Sequence, residues 1–364
     1  MSLPGQIICK NFARREHVAA GLWINPEPDS SWREVAGHCD KLNLFCQDYG
    51  GFSLHQQSGA QVTFGAFPER QQTFDWIILS LPRQKALLQM LLDCTKGLLA
   101  AGGTLWLAGE NKAGIKSADK LLKKHFGRVQ KLDNARHCTL FEAAEPSIEQ
   151  PFDSAEYLEV WTTQVFPTQV SKVVPAGKVL EIASYPGVFA HGHLDAGSLL
   201  LLETLADQHI DGSVLDFGCG SGVIGACVAA QLKAHHEARH EAQKADWHAA
   251  RVTFLDTSAL ALHACEETLS RNNLKGTLLA SDGLASVEAR FDLILSNPPI
   301  HSGLKTDNHL SMQLLANVEK HLQPNGRLII VANRHLPYEN WLSDKFKKVN
   351  ELSANQNFKV LCAS

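Results

Sequence analysis

The sequence predicts two tandem doubly wound α/β domains, the second intact and the first a degenerate duplicate of it. Three observations carry that prediction. The chain has 364 residues, more than one hydrophobic core usually absorbs. Short apolar runs alternate with helical stretches, the pattern of parallel strands joined by helical crossovers. The two halves also spell similar things in the same order, which is the mark of an internal repeat.

The repeat has three blocks. Phe74-Asp-Trp-Ile-Ile-Leu-Ser-Leu-Pro82 resembles Phe291-Asp-Leu-Ile-Leu-Ser-Asn-Pro298, each an apolar run that reads as a buried parallel strand ending in a proline loop. A Leu-rich helical stretch follows each, then a glycine turn and a second apolar strand, Gly103 to Ala108 in one half and Gly326 to Val331 in the other. Residues 126–143 align without a gap onto 346–363, keeping Val129 with Val349 and Leu132 with Leu352. The expected division is a degenerate domain at 1–150, a linker and pocket segment at 151–190 that opens near Glu145 to Pro151, and the working domain at 191–364.

Composition excludes several classes. A chain 45% hydrophobic and 20% charged, with 26 Gly and 14 Pro, is neither disordered nor collagen-like nor a coiled coil. It has no apolar run of the roughly 18 residues that a membrane helix needs, and its start lacks a signal-peptide stretch. Nine scattered cysteines without a C-x-x-C pair fit a reducing cytosol rather than a disulfide framework or zinc finger. A cytoplasmic monomer without membrane contact is expected. Residues 1–150 hold 17 Lys+Arg against 15 Asp+Glu and the remainder 17 against 23, so a polyanion would have to be met by local clusters. Two such clusters stand out: Lys10, Arg14 and Arg15; and Lys120, Lys123, Lys124, Arg128 and Lys131. Each reads equally well as a solvated face.

In doubly wound sheets ligands sit at the carboxyl ends of the strands, which directs attention to four loops of the second half. Val214-Leu-Asp-Phe-Gly-Cys-Gly-Ser-Gly222 is a short strand running into alternating glycines and then a helix, so backbone amides approach a ligand closely. Asp216 at that strand end disfavours a pyrophosphate and suits an ammonium group, so Asp216, Gly218, Gly220 and Gly222 point to S-adenosylmethionine. Asp256 ends the next strand where a ribose diol would lie, although with Thr257 and Ser258 it also reads as a helix cap. Asp282 reads either as a partner for an adenine amino group or as a turn residue. In the first half, Leu42 to Gly51 is the only stretch expected to hold a glycine loop, and Leu81-Pro82 stands opposite Asn-Pro-Pro.

Asn297-Pro298-Pro299 is the most specific signal. An apolar strand runs straight into a side-chain amide and two φ-locked prolines. The Asn297 side-chain oxygen and the Pro298 carbonyl would accept both N–H bonds of an exocyclic amine and turn its nitrogen toward a methyl sulfonium. Positioning and electrostatics then suffice without a strong base.

On these residues the second half resembles the Asn-Pro-Pro class of S-adenosylmethionine-dependent methyltransferases. The whole chain, with Tyr185 to Ser198 and Val331 to Tyr338, resembles the bacterial ribosomal RNA guanine-N2 methyltransferases. That resemblance implies methylation of 16S ribosomal RNA, at guanine 1207, free or within the small subunit. A sister family acting on 23S RNA is the near alternative, and a non-catalytic assembly factor the rival from another class. It also implies that the first copy helps fold the second and holds RNA. Ile300 departs from the pattern, because an aromatic residue there usually stacks on the flipped base; His301, Phe189 or the apolar face of Ile300 would have to serve. The Asp216-to-Asp256 spacing is also about twice the ~20 residues such a unit needs. The excess, Leu232 to His248, includes His236-Glu-Ala-Arg-His240, which matches a zinc motif but reads as a solvated helix, so no metal is expected.

Overall fold

The computed structural model describes residues 1–13, 17–69, 72–147, 150–165, 178–206, 208–238, 251–298 and 316–364, and within 208–238 not the side chain of His236. Arg14, Arg15, Pro299, Ile300, His301, His240 and the helical stretch expected after Asn-Pro-Pro lie outside the described residues. The chain divides into two compact units, Met1–Leu158 and Glu159–Ser364.

The first unit holds strands β1 (Val18–Ile24), β2 (Cys39–Cys46), β3 (Val62–Phe64), β4 (Phe74–Ser80), β5 (Leu99–Glu110), β6 (Phe126–Ala135) and β7 (Cys138–Pro146). Its helices are α1 (Leu3–Phe12), α2 (Ser31–Ala36), α3 (Tyr49–Gln57), α4 (Lys85–Lys96) and α5 (Ala118–His125). The second unit opens with an antiparallel pair, β8 (Glu159–Gln164) and β9 (Val179–Ser184). Then come α6 (Ala196–Leu205), β10 (Val214–Phe217), α7 (Val223–Ala238), β11 (Val252–Asp256), α8 (Ala259–Arg271), β12 (Thr277–Ala280) and β13 (Phe291–Ser296). It closes with β14 (Leu322–Asn333), a short helix Tyr338–Ser343, β15 (Val349–Ala354) and β16 (Phe358–Ala363).

The two sheets repeat each other. Their orders are β3-β2-β1-β4-β5-β7-β6 and β12-β11-β10-β13-β14-β16-β15, with the last two strands antiparallel in each. Even an irregularity recurs. Pairing shifts register after Phe74 and after Phe291, and the turns beside it place Gly102 and Asn325 at φ 77° and 68°. At the next residue a Cβ on Gly103 would stand 3.0 Å from the Phe74 carbonyl oxygen, and one on Gly326 2.8 Å from that of Phe291. Glycine is required at both because the backbone of the neighbouring strand is too close for any side chain.

Strands buried on both faces explain the continuous apolar runs. In the second unit α6, α7 and α8 cover one face through Leu201, Leu202, Ile224 and Cys265, while Leu284, Val287, Val318 and Tyr338 cover the other. In the first, α4 and α5 cover one face and α1 and α2 the other, over Trp23, Trp76 and Trp106.

Matching the registers corrects one expectation. Ile24 pairs with Phe45 and Leu79, and Phe217 pairs with Leu255 and Ser296, so the counterpart of the glycine loop follows β1, beginning at Asn25. Leu42 to Gly51, expected there, instead spans the end of β2 and the start of α3 and corresponds to the region of Asp256. Asn25, Pro26, Glu27, Pro28 and Asp29 stand where the second unit has its glycines, so no glycine signature marks this loop in the sequence.

Candidate active site

The carboxyl ends of β10, β11 and β13 converge. Gly218 and Gly220 take φ of 70° and 54°, which side chains other than glycine rarely adopt, and among the described residues a Cβ at either would meet nothing within 4 Å. No described side chain packs over their backbone. Gly222 and Gly225 do a different job. A Cβ on Gly222 would stand 2.5 Å from the Cys265 sulfur, and one on Gly225 2.4 Å from the Phe254 ring, so these two seat the turn against α8 and β11. Cys219 lies among the glycines, but burial and the neighbouring Cys265 push its thiol well above the usual range, which leaves it inert as a nucleophile.

Asp216 is fully enclosed. Its Oδ2 accepts from the Gly225 N–H at 2.8 Å, while Oδ1 has no partner among the described residues. Burial pushes its carboxyl up to about 7; the Gly225 bond pulls it down and the nearby Asp256 pushes it further up. The side chain expected to face an ammonium group thus lies beneath the loop, not at its surface. Asp256 is half-buried and ties the loop to the next helix: Oδ2 accepts from Gly220 N–H and Oδ1 from Ser258 N–H, both at 2.9 Å. Ser258 itself caps α8 through the Ala261 N–H, so the cap reading of this stretch holds alongside any contact to a ligand. A carboxylate accepts at about four positions, which makes loop fixation and diol binding compatible. Asp282 sits half-buried in the turn after β12, where its carbonyl accepts from Ala285 N–H.

Asn297 follows β13 directly, half-buried, with Pro298 buried behind it. Its Nδ2 donates to Asp195 Oδ2 and to Ser198 Oγ, both at 2.9 Å. Asp195 caps α6, its Oδ2 accepting from Gly197 N–H at 2.9 Å and Ser198 N–H at 3.1 Å. Sequence reasoning included both residues in a segment near the pocket but missed their role. The signal was an Asp two and three residues ahead of a Gly-Ser helix start, about a hundred positions from its partner.

The segment leading into α6 is held by polar contacts. Ser184 Oγ meets His191 Nδ1 at 2.9 Å and accepts from Gly192 N–H at 3.1 Å, and His191 Nε2 lies 3.2 Å from Glu159 Oε2. Tyr185 stacks on His263 of α8 with ring centroids 5.3 Å apart. Phe189 lies in this loop with 49% of its surface exposed, unusual for a ring of that size.

The Methyltransferase small domain model matches residues 179–362, and the model of its N-terminal domain matches 7–161. Ribosomal RNA small subunit methyltransferase C of Shewanella amazonensis is 33% identical, covering 99% of this chain and 98% of its own length. The protein of the same name from Pseudoalteromonas atlantica is 36% identical, with 100% and 99% covered. The chain belongs to the ribosomal RNA small subunit methyltransferase C family. The fold agrees with a solved structure of the T. thermophilus 16S rRNA N2 guanine 1207 methyltransferase (RsmC) in complex with AdoMet and guanosine: TM-score 0.80 over 100% of this chain and 92% of that one, at 23% identity.

The basic residues singled out in the sequence belong to the first unit. Lys120, Lys123 and Lys124 are exposed on α5, and Arg128 is exposed on β6; Lys123 already pairs with Asp119 at 2.8 Å. Helix α7 runs into the expected insertion as far as Ala238. Among the described residues no cluster of His, Cys, Asp and Glu is arranged to hold a metal, and no helix is long and apolar enough to cross a membrane.

Proposed function

We propose that this chain transfers a methyl group from S-adenosyl-L-methionine to the N2 amino group of a guanine in 16S ribosomal RNA, corresponding to guanine 1207 of the T. thermophilus enzyme. The observation that carries this reading is the orientation of Asn297. Both of its N–H bonds are spent on Asp195 and Ser198, so its oxygen is the group left to meet a substrate amine. The Pro298 carbonyl supplies the second acceptor.

The glycine loop fits the cofactor. The backbone of Gly218 and Gly220, with no described side chain packed over it, is what a bound ligand would use, and the enclosed Asp216 would act from beneath by holding the loop through Gly225. Gly218 and Gly220 would hold its methionine end, Asp256 its ribose and Asp282 its adenine amino group. When bound, S-adenosyl-L-methionine supplies an electrophilic methyl group on a positively charged sulfur. Asn297 and Pro298 hold the amine so that its nitrogen lone pair forms the new N–C bond as the S–C bond breaks, the electron pair staying on sulfur and a proton passing to water. Phe189, and among the residues outside the described ones Pro299, Ile300 and His301, would line the base pocket. The exposed Lys120, Lys123, Lys124 and Arg128 would contact phosphates of the RNA. The protein would act as a cytoplasmic monomer on 16S RNA, free or in the small subunit.

Mapping modified nucleotides in 16S RNA from cells with and without the protein tests this reading. One N2-methylguanine is expected to disappear with the protein, and an unchanged modification pattern would refute it.

A further inference from the structure

An amide side chain has a donor end and an acceptor end, and only contacts decide which end faces a substrate. At Asn297 both donors meet oxygens of one helix start: the Asp195 carboxylate, which cannot donate, and the Ser198 hydroxyl. Reversing the amide would set its oxygen against a carboxylate and lose the Asp195 bond outright. Asp195 is itself held by two backbone N–H groups of α6, so the contact point does not wander. Space for this approach depends on Gly197. A Cβ there would stand 3.0 Å from Asp195 Oδ2, 3.5 Å from Asn297 Nδ2 and 3.4 Å from the edge of Phe358 on β16. The first unit has no such device, since Ser80, the counterpart of Asn297, accepts from Trp23 Nε1 at 3.1 Å inside the core.

We propose that Asp195 and Ser198 are positioning residues that lock the Asn297 amide with its oxygen toward the reacting amino group. The inference rests on the methyl-transfer reading above and deepens it. A locked acceptor selects a base edge that offers N–H donors, and it saves the reorganisation that a freely rotating amide would need at each turnover.

The test separates this role from helix capping and from cofactor binding. Asp195→Ser keeps a capping hydroxyl but is too short to reach Asn297, and Ser198→Ala keeps a good helix former while removing the second acceptor. With 16S RNA and S-adenosyl-L-methionine, the double variant is expected to lose about 10- to 100-fold in kcat with both KM values unchanged, in keeping with the loss expected from a misplaced reacting group. Ser198→Thr, which retains a hydroxyl, should recover most of the rate lost in Ser198→Ala. A second readout needs no turnover: the Asn297 side-chain amide protons, assigned by their disappearance in Asn297→Ala, should exchange slowly in wild type and rapidly in Ser198→Ala. A rise in KM for S-adenosyl-L-methionine with kcat intact, or fast exchange of those protons in wild type, would overturn the proposal. Slow exchange in a wild-type protein that methylates no RNA would uphold the lock and discard the functional reading instead.

Discussion

The two units place different residues on the same four positions of the same sheet. Where the second has Asp216 on β10 and Asn297 just after the adjacent β13, the first has Trp23 and Ser80, bonded to each other at 3.1 Å and buried. Where the second has Gly218, the first has Asn25, which keeps the left-handed backbone at φ 51° and the same bond to the neighbouring strand, Asn25 N–H to the Phe45 carbonyl at 2.7 Å against Gly218 N–H to that of Leu255 at 2.8 Å. Where the second has Asp256, the first has Cys46, its thiol pushed up to about 12 by burial. The first unit therefore keeps the geometry of a strand-end site, while buried Trp23, Ser80 and Cys46 stand where the second unit has Asp216, Asn297 and Asp256. A scaffold survives duplication more readily than its chemistry, because the scaffold is fixed by the core on both faces and the chemistry by three side chains and one glycine.

Several changes break or sharpen that contrast. The largest effect is expected at Asp216. Its folded-state carboxyl, near 7, lies above the ordinary 3.8, so the folded chain holds a proton that the unfolded chain has lost. Stability from this group is therefore complete below about pH 4 and disappears as pH rises through 7, by up to about 4 kcal/mol. Asp216→Asn should remove that loss, and denaturant unfolding of both proteins across this pH range checks it; parallel curves would contradict the burial argument.

Asp256→Ala should weaken S-adenosyl-L-methionine binding by about 1–3 kcal/mol, while Cys46→Ala leaves it unchanged, as calorimetry can show. The glycines should separate by function. Gly225→Ala pushes a methyl into Phe254 and is expected to cost about 1–3 kcal/mol in stability. Gly218→Ala meets no described neighbour but forces alanine to φ 70°, so it should cost about 1–2 kcal/mol in stability through backbone strain and also lower cofactor affinity. The smallest effect concerns the basic surface of the first unit. Neutralising Lys120, Lys123 and Lys124 should flatten the salt dependence of RNA binding by about 0.7–0.9 in slope per lost contact. Lys123, already paired with Asp119, should contribute least.

The fold was legible because its signals are local: apolar runs, glycine turns and a repeat whose blocks keep their order. The motif loops of the site were legible for the same reason, since Gly218 to Gly222 and Asn297-Pro298 each lie within a few residues. Asp195 was not, because its bond to Asn297 joins positions 102 residues apart and only the folded domain brings the end of β13 beside the start of α6. Nor does a run of glycines say which of them face a ligand. Gly218 and Gly220 have no described side chain packed over them while Gly222 and Gly225 press on Cys265 and Phe254, a distinction made by neighbours from α8 and β11.

The measurement closest to the central claim is methyl transfer by three proteins to 16S RNA lacking the modification, using S-adenosyl-L-methionine labelled in its methyl group, followed by digestion to nucleosides. Wild type and Ser80→Ala should both place label in N2-methylguanosine, and Asn297→Ala should lose about two orders of magnitude in rate or more while binding RNA as before. Full activity in Asn297→Ala, or its loss in a folded Ser80→Ala, would contradict the assignment of the chemistry to the second unit.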